Sequence, residues 1–330
     1  MPRSSDLSAS LPDQASACAE GERPPAQVAI LMGTWQGEQY LAPQLDSFLA
    51  QQYPHWRLWV SDDGSTDGTL DILRRYQAGA MAGRLQVIQG PARGLAPNFL
   101  SLACRADILA DYYAFSDQDD IWAPAKLSRA LAALAALPPD VPALYASRTQ
   151  LVDSANRDIG ASVRFQRPPG FGNALVQNIG GGNTMVFNQA ARRLLCLAGA
   201  DVDVLAHDWW VYMLVAGCGG RVYYDDYLAL RYRQHGNNLM GSNLSLAARW
   251  HRVSLLWQGD FYNWNTANIA ALQRVQDHLT PSSRQMLNAF AQGRDRSLLP
   301  RLWWFARSGL YRQTLLGNLG LLTAALLGRL

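Results

Sequence analysis

From residue 27 onward, short apolar runs alternate with polar turns and amphipathic stretches. Residues 28–32 (Val-Ala-Ile-Leu-Met) form an unbroken apolar run, the pattern of a strand covered on both faces. The run stops at Gly33-Thr34-Trp35-Gln36-Gly37, after which Leu41, Leu45, Phe48 and Leu49 recur at helical spacing. Residues 56–60 predict a second strand, ending in Ser61-Asp62-Asp63-Gly64-Ser65-Thr66-Asp67. Leu70, Ile72, Leu73 and Tyr76 predict a helix begun by an Asp or Thr cap. A third strand at 85–88, a helix around 99–108 and an aromatic strand through Tyr112, Tyr113 and Phe115 follow. That last strand runs directly into Asp117, Asp119 and Asp120.

Strands and helices alternating across short loops predict an α/β fold, with a mostly parallel, Rossmann-like central sheet flanked by helices. In such sheets ligands collect beyond the carboxyl ends of the strands. The polar clusters at 33–38, 62–67 and 117–120 all fall at those ends, so one fold brings three separate motifs to one crevice. Further along, Gly180-Gly181-Gly182-Asn183 precedes a short strand at 184–187, and a helix begins near His207-Asp208-Trp209-Trp210. Strands are expected at 221–224 and 227–232, and beyond Gly241 the pattern becomes helical, rich in Arg and Trp. The expected organisation is a flexible tail over 1–26, a sheet-bearing domain over 27–241 and a helical region over 242–330.

Composition narrows the function classes. Charged residues are 17% and hydrophobic ones 49%, a globular balance in a chain of 330 residues, long enough to bury a sizeable core. A formal charge of +3 gives no basis for a nucleic-acid partner. Cys18, Cys104, Cys196 and Cys218 are scattered without a paired spacing, which fits a reducing, cytoplasmic compartment. Residues 1–26 lack the apolar core of a secretory signal. Lys126, the single lysine, reads as a solvated charge one turn past Pro124.

Three carboxylates within four residues repel one another unless a positive charge sits among them. A Mg²⁺ or Mn²⁺ ion carrying a nucleotide diphosphate is a natural neutraliser, because hard oxygen ligands suit both metals. The bland alternative is an exposed acidic turn ahead of the next helix.

Together, the Thr34–Glu38 loop, Ser61–Asp67, Asp117-Gln118-Asp119-Asp120, His207–Trp210 and Tyr232-Arg233-Gln234-His235-Gly236-Asn237-Asn238 resemble the family 2 inverting glycosyltransferases of GT-A fold. Their order and spacing are similar to the bacterial rhamnosyltransferase-like branch, and the resemblance covers roughly 27–241. Trp35-Gln36 departs from the Tyr-Asn usual there. The resemblance implies that Thr34, Glu38, Asp62, Asp63 and Asp117 bind nucleotide, Asp117 through ribose or a metal-bound water. It implies that Asp119, Asp120 and His235 surround Mg²⁺ or Mn²⁺, with Asp120 either a ligand or an orienting partner. Asp208 is the expected catalytic base, and Gly181, Gly182, Asn183, His207, Trp209 and Trp210 the expected sugar and acceptor surroundings. Each has a plainer reading: a first-turn acid for Glu38 and Asp208, an Asx turn for Asp62 and Asp63, a tight turn for the glycines, core packing for the tryptophans.

The implied partners are a nucleotide-diphosphate sugar, dTDP-rhamnose among the candidates, and a lipid-linked saccharide acceptor at the cytoplasmic face of the inner membrane. Residues 291–330 carry six arginines against Asp295, interleaved with Trp303, Trp304, Phe305 and Tyr311. That segment reads either as a monotopic surface on an anionic leaflet, or as helices packing on the sheet domain or on a second subunit. Two competing functions are a nucleotidyltransferase on a related sheet and an inactive nucleotide-sugar-binding module. The first begins from a glycine- and basic-rich phosphate loop, whereas 33–38 holds neither Lys nor Arg.

Overall fold

A computed structural model describes residues 24–234 and 260–330. Most of the expected N-terminal tail and His235 lie outside the described residues. The central sheet contains β1 (Val28–Thr34), β2 (Trp56–Asp62), β3 (Leu85–Gln89), β4 (Tyr112–Ser116), β5 (Ile121–Trp122), β6 (Ala143–Val152), β7 (Asp158–Ala161), β8 (Val186–Asn188) and β9 (Arg221–Arg233), in the order β3-β2-β1-β4-β8-β6-β9-β5, with β7 paired to β6. The apolar run at 28–32 is buried throughout, Ala29 and Leu31 facing one core, Val28, Ile30 and Met32 the other. That two-sided burial is why the run lacks polar alternation.

The parallel expectation holds for β3-β2-β1-β4 and for β6 with β9. β8 is antiparallel to both β4 and β6, and β5 is antiparallel to β9, so the sheet is mixed. The two strands expected at 221–224 and 227–232 are one strand, with a register irregularity where Ser147 pairs Asp225 and Arg148 pairs Leu228. The helix expected around 99–108 runs from Leu95 to Ala103.

On one face lie α1 (Leu41–Leu49), α2 (Thr69–Ala78) and α4 (Lys126–Ala135). On the other lie α3 (Leu95–Ala103), α5 (Phe171–Ala174), α6 (Gln189–Ala198) and α7 (His207–Gly217). Helices α1 and α3 each begin Leu-Ala-Pro, placing Pro43 and Pro97 in a first turn where no intrahelical N–H is required. Helix α7 buries Trp209 through Val215 without a break and is a core helix rather than an amphipathic one.

The C-terminal helices α8 (Asp260–Arg274), α9 (Pro281–Gly293), α10 (Leu298–Arg307) and α11 (Leu315–Leu327) share the second core rather than forming their own. Trp304 stacks on Phe290 at 6.1 Å, over the gap left by Gly293. The Arg301 guanidinium donates to the carbonyls of Ala325 (2.6 Å) and Leu326 (3.1 Å), satisfying the end of α11 and setting it antiparallel to α10. Asn173 donates to the Tyr311 carbonyl at 3.0 Å, and Gln313 accepts from the Arg167 amide at 3.1 Å, joining the connecting segment to the sheet domain. Among the described residues no helix is long and apolar enough to cross a membrane.

Candidate active site

The loops after β1, β2 and β4 are laced together by side chains. The Thr34 hydroxyl donates to Asp62 Oδ1 (2.8 Å), while Asp62 also accepts the Ser65 amide (2.8 Å), the Gly64 amide (3.2 Å) and the Ser65 hydroxyl. Asp62 is therefore the hub of an Asx-type turn, completed by Gly64 at φ +94°. Asp63 accepts the amides of Ala92 (2.7 Å) and Gly94 (3.0 Å), which fastens the 90–94 loop beside it. Glu38 accepts the Gly68 amide at 3.0 Å, at the start of α2. Gln118 bonds Trp35 in both directions, accepting its amide and donating to its carbonyl, each at 2.9 Å. Its side chain lies so close to Gly37 that a Cβ there would collide with it. Trp35 is consequently held on the rim with its ring 63% exposed.

The four-residue acidic stretch splits by role. Asp120 is fully buried, accepting the Asn183 side-chain amide (2.6 Å) and, weakly, the Arg233 amide (3.4 Å). Asn183, itself buried, spends its side-chain amide on Asp120 rather than on the cleft. Asp117 and Asp119 are only partly covered. Enclosure, then the neighbouring charges of Asp119 and Asp208, push the Asp117 carboxyl up to about 7, with Lys126 opposing. The sequence reading of Lys126 as a solvated charge is overturned. Its side chain is completely buried, with Nζ 3.2 Å from the Trp122 ring centroid and donating to the Asn183 carbonyl. Burial drives its pKa well below the usual lysine value, against the pull of Asp120 and Asp117. The Arg233 guanidinium donates to the Asp119 carbonyl (3.0 Å), tying this loop to the end of β9.

Asp208 opens α7. Its carboxylate accepts the Trp209 amide (2.6 Å) and the Gly182 amide (2.8 Å), and Asn178 bonds it as well. Burial pushes its carboxyl up to about 6 despite these bonds. Helix N-termini favour anions, so the desolvation outweighs a local field that would pull the other way. His207 faces the core: it stacks on Phe99 at 4.0 Å and meets Phe115 edge-on at 4.7 Å, with neither ring nitrogen hydrogen-bonded. Burial holds it at about 3, so it is neutral. A Cβ on Gly182 would sit 2.6 Å from His207 Nε2, which explains the glycine. Trp209 donates its indole N–H to the Ala174 carbonyl (2.6 Å) and Trp210 is fully buried, so both pack the wall behind Asp208.

Asp117, Asp119 and Asp208 thus gather at one rim, beside the loop that carries Trp35. Among the described residues no trio of His, Cys, Asp or Glu makes a metal cage by itself. Asp117 and Asp119 nevertheless supply hard oxygen donors whose mutual repulsion a divalent ion would relieve, and phosphate oxygens would have to complete such a shell. A hollow of about 560 Å³ lies elsewhere, along α9 beside Arg284, Gln285 and Asn288, and takes no residue from the site. Sequence reasoning assigned no role to Lys126, Gln118, Asn178 or Trp35. Only Lys126 carried a signal, as the one lysine in an arginine-rich chain.

A mixed sheet with acidic loops at its strand ends, and a half-buried carboxylate at the mouth of a core helix, is the GT-A architecture. Residues 29–195 match the family described as glycosyl transferase family 2, and the chain belongs to that family. It is 29% identical over 253 residues to the dTDP-rhamnosyl transferase RfbG of Shigella flexneri, covering 72% of this chain and 83% of that protein. The fold is shared with S. aureus TarS crystallised with UDP-GlcNAc, at a TM-score of 0.53 and 16% identity, covering 86% of this chain and 93% of that one. TarS with UDP gives a TM-score of 0.51, again at 16% identity, with coverages of 86% and 90%.

Proposed function

We propose that the protein transfers a sugar, with inversion, from a nucleotide-diphosphate sugar to a hydroxyl of a growing, lipid-linked bacterial surface polysaccharide such as an O-antigen. The likeness to a dTDP-rhamnosyl transferase over most of both chains favours dTDP-rhamnose as donor. The observation that carries the reading is Asp208: a desolvated carboxylate, fixed by two amides, next to Asp117 and the acidic loop. An anchored carboxylate with its pKa raised toward neutrality is suited to general-base work.

In the reaction, Asp208 takes the proton of the acceptor hydroxyl as that oxygen attacks the anomeric carbon. The bond from that carbon to the phosphate oxygen breaks on the opposite face, and its electron pair leaves with the nucleoside diphosphate. Asp117 and Asp119 would hold Mg²⁺ or Mn²⁺, whose chemistry there is to neutralise charge on the departing diphosphate. Lys126 and Asp120 keep the loop floor rigid, and the Trp35 ring offers a flat apolar face on the rim. Incubating the protein and Mn²⁺ with a panel of nucleotide sugars, dTDP-rhamnose included, tests the reading. Donor consumption on acceptor addition, with NMR showing an inverted anomeric centre in the product, is the expected result. A retained anomeric configuration would sink the mechanism, and absence of binding to every nucleotide sugar would sink the function.

A further inference from the structure

Helices α10 and α11 bury only their inner sides. Trp304, Leu321, Ala324 and Ala325 pack inward, whereas Leu299, Trp303, Leu315, Leu316, Leu319 and Leu322 face outward. The outward set is far from marginal: Leu299 is 77% exposed, Leu315 78% and Leu316 70%. A soluble surface seldom leaves so many large apolar side chains uncovered on adjacent turns. Helix α11 has 13 residues, none charged, so it is about 20 Å long at 1.5 Å per residue. That is too short for the roughly 30 Å of hydrocarbon in a bilayer, but sufficient to lie along its surface.

Charge selects the occupant. Arg296, just before α10, Arg307 at its end and Arg329, just after α11, are exposed, and Asp295 is the only acid beyond residue 293. The Arg307 guanidinium lies 4.2 Å over the Trp303 ring, an aromatic–cation pair suited to a water–hydrocarbon boundary. If two copies paired through this face, symmetry would set the arginines of both along one seam with a single acid from each to offset them. Lipid phosphates offset them directly.

We propose that α10 and α11 form a monotopic docking surface for an anionic lipid leaflet, with the leucine face at the headgroup–acyl boundary and Arg296, Arg307 and Arg329 against lipid phosphates. This inference does not depend on which sugar is transferred. Flotation of the full chain with phosphatidylcholine vesicles, with and without phosphatidylglycerol, tests it. The protein is expected to float with the phosphatidylglycerol vesicles and to be released by high salt. Leu315→Glu/Leu316→Glu should cut vesicle binding by at least about 10-fold with an unchanged melting temperature, since both side chains are already exposed. Arg296→Gln/Arg329→Gln should weaken binding by about 5-fold per arginine on anionic vesicles only. The proposal is overturned if the wild type stays in the soluble fraction with both vesicles, or if the double Glu variant floats as well as the wild type. It is equally overturned if sedimentation reveals a dimer that the double Glu variant dissociates without any change in flotation.

Discussion

The Asp208 carboxylate accepts the Gly182 amide at 2.8 Å, joining the first turn of α7 to the glycine turn 26 residues upstream. This bond and the Trp209 amide fix both oxygens in place, so the carboxylate is preorganised rather than recruited by substrate. Asp208→Asn keeps the shape and one of the two acceptor oxygens, so one amide loses its partner, and the side chain cannot take a proton. We expect kcat to fall by roughly 10²- to 10⁴-fold while nucleotide-sugar affinity stays within about 3-fold. Steady-state kinetics paired with calorimetric titration checks this; a variant with near-wild-type kcat would remove Asp208 from the role of base.

The same carboxylate sets a pH limb. Burial holds Asp208 at about 6, and a general base works only when deprotonated. Activity should therefore be full above that value and fall as pH drops through it, approaching about 10-fold per unit in the acid range. In the rate profile of kcat/KM, a limb near the ordinary carboxylate range would mean that Asp208 is far less enclosed than the geometry indicates.

Lys126 is buried over the Trp122 ring and donates to the carbonyl of Asn183, whose side-chain amide in turn holds Asp120. Methionine at 126 would leave the buried Asn183 carbonyl without this donor and remove the lysine's pull on Asp120 and Asp117. Leaving a buried hydrogen-bonding group without its partner costs about 1–3 kcal/mol. Lys126→Met should lose stability of that order in denaturant titrations, whereas Lys126→Met/Asp120→Asn should recover much of it. Lys126→Arg should not rescue, because the closed space over Trp122 fits an ammonium and not a planar five-donor fork. Purely additive losses in the two single variants would show that the residues are not coupled.

What the sequence made legible follows from how each element meets solvent. β1 and β4 are buried on both faces and so appear as apolar runs, and the polar loops they feed stand out by contrast. β6 is not legible in the sequence because Arg148 and Gln150 interrupt its apolar run, and their side chains donate across to the carbonyls of Ser162 and Gly160. β8 has three residues, too few for any periodicity. Helix α6 was hidden by Arg192, a buried arginine whose guanidinium donates to the carbonyls of Ala103 and Arg105. At the site, residue type identified the acids but not their division of labour. Asp62 is held mostly by its own turn through Gly64 and Ser65, whereas Asp120 turns inward because its partners Asn183 and Arg233 lie 63 and 113 residues away, and Asp117 and Asp208 line the cleft.

Divalent-ion dependence tests the cleft half of that division. With Asp119→Ala, one hard oxygen donor is lost from the rim, and Mn²⁺-dependent nucleotide binding should weaken by at least about 10-fold. Nucleotide binding without metal should change little. Titration of UDP or dTDP with and without Mn²⁺ separates the two; equal affinities for wild type and variant in Mn²⁺ would take Asp119 out of the metal shell.

Trp35 provides the sharpest test of the rim, because its exposure uncouples function from stability. The ring is 63% exposed and its backbone is clamped by Gln118, so truncation removes an aromatic face without opening the core. Stacking of a base on an aromatic ring is worth about 1–3 kcal/mol. Trp35→Ala should therefore weaken nucleotide binding by roughly 5- to 160-fold with no change in melting temperature, and Trp35→Tyr should restore most of the affinity. Gln118→Ala should give a smaller loss with the same sign, since it frees the loop but keeps the ring. If Trp35→Ala bound nucleotide as tightly as the wild type, the base would lie elsewhere, and the Gln118 clamp would serve only to close the loop.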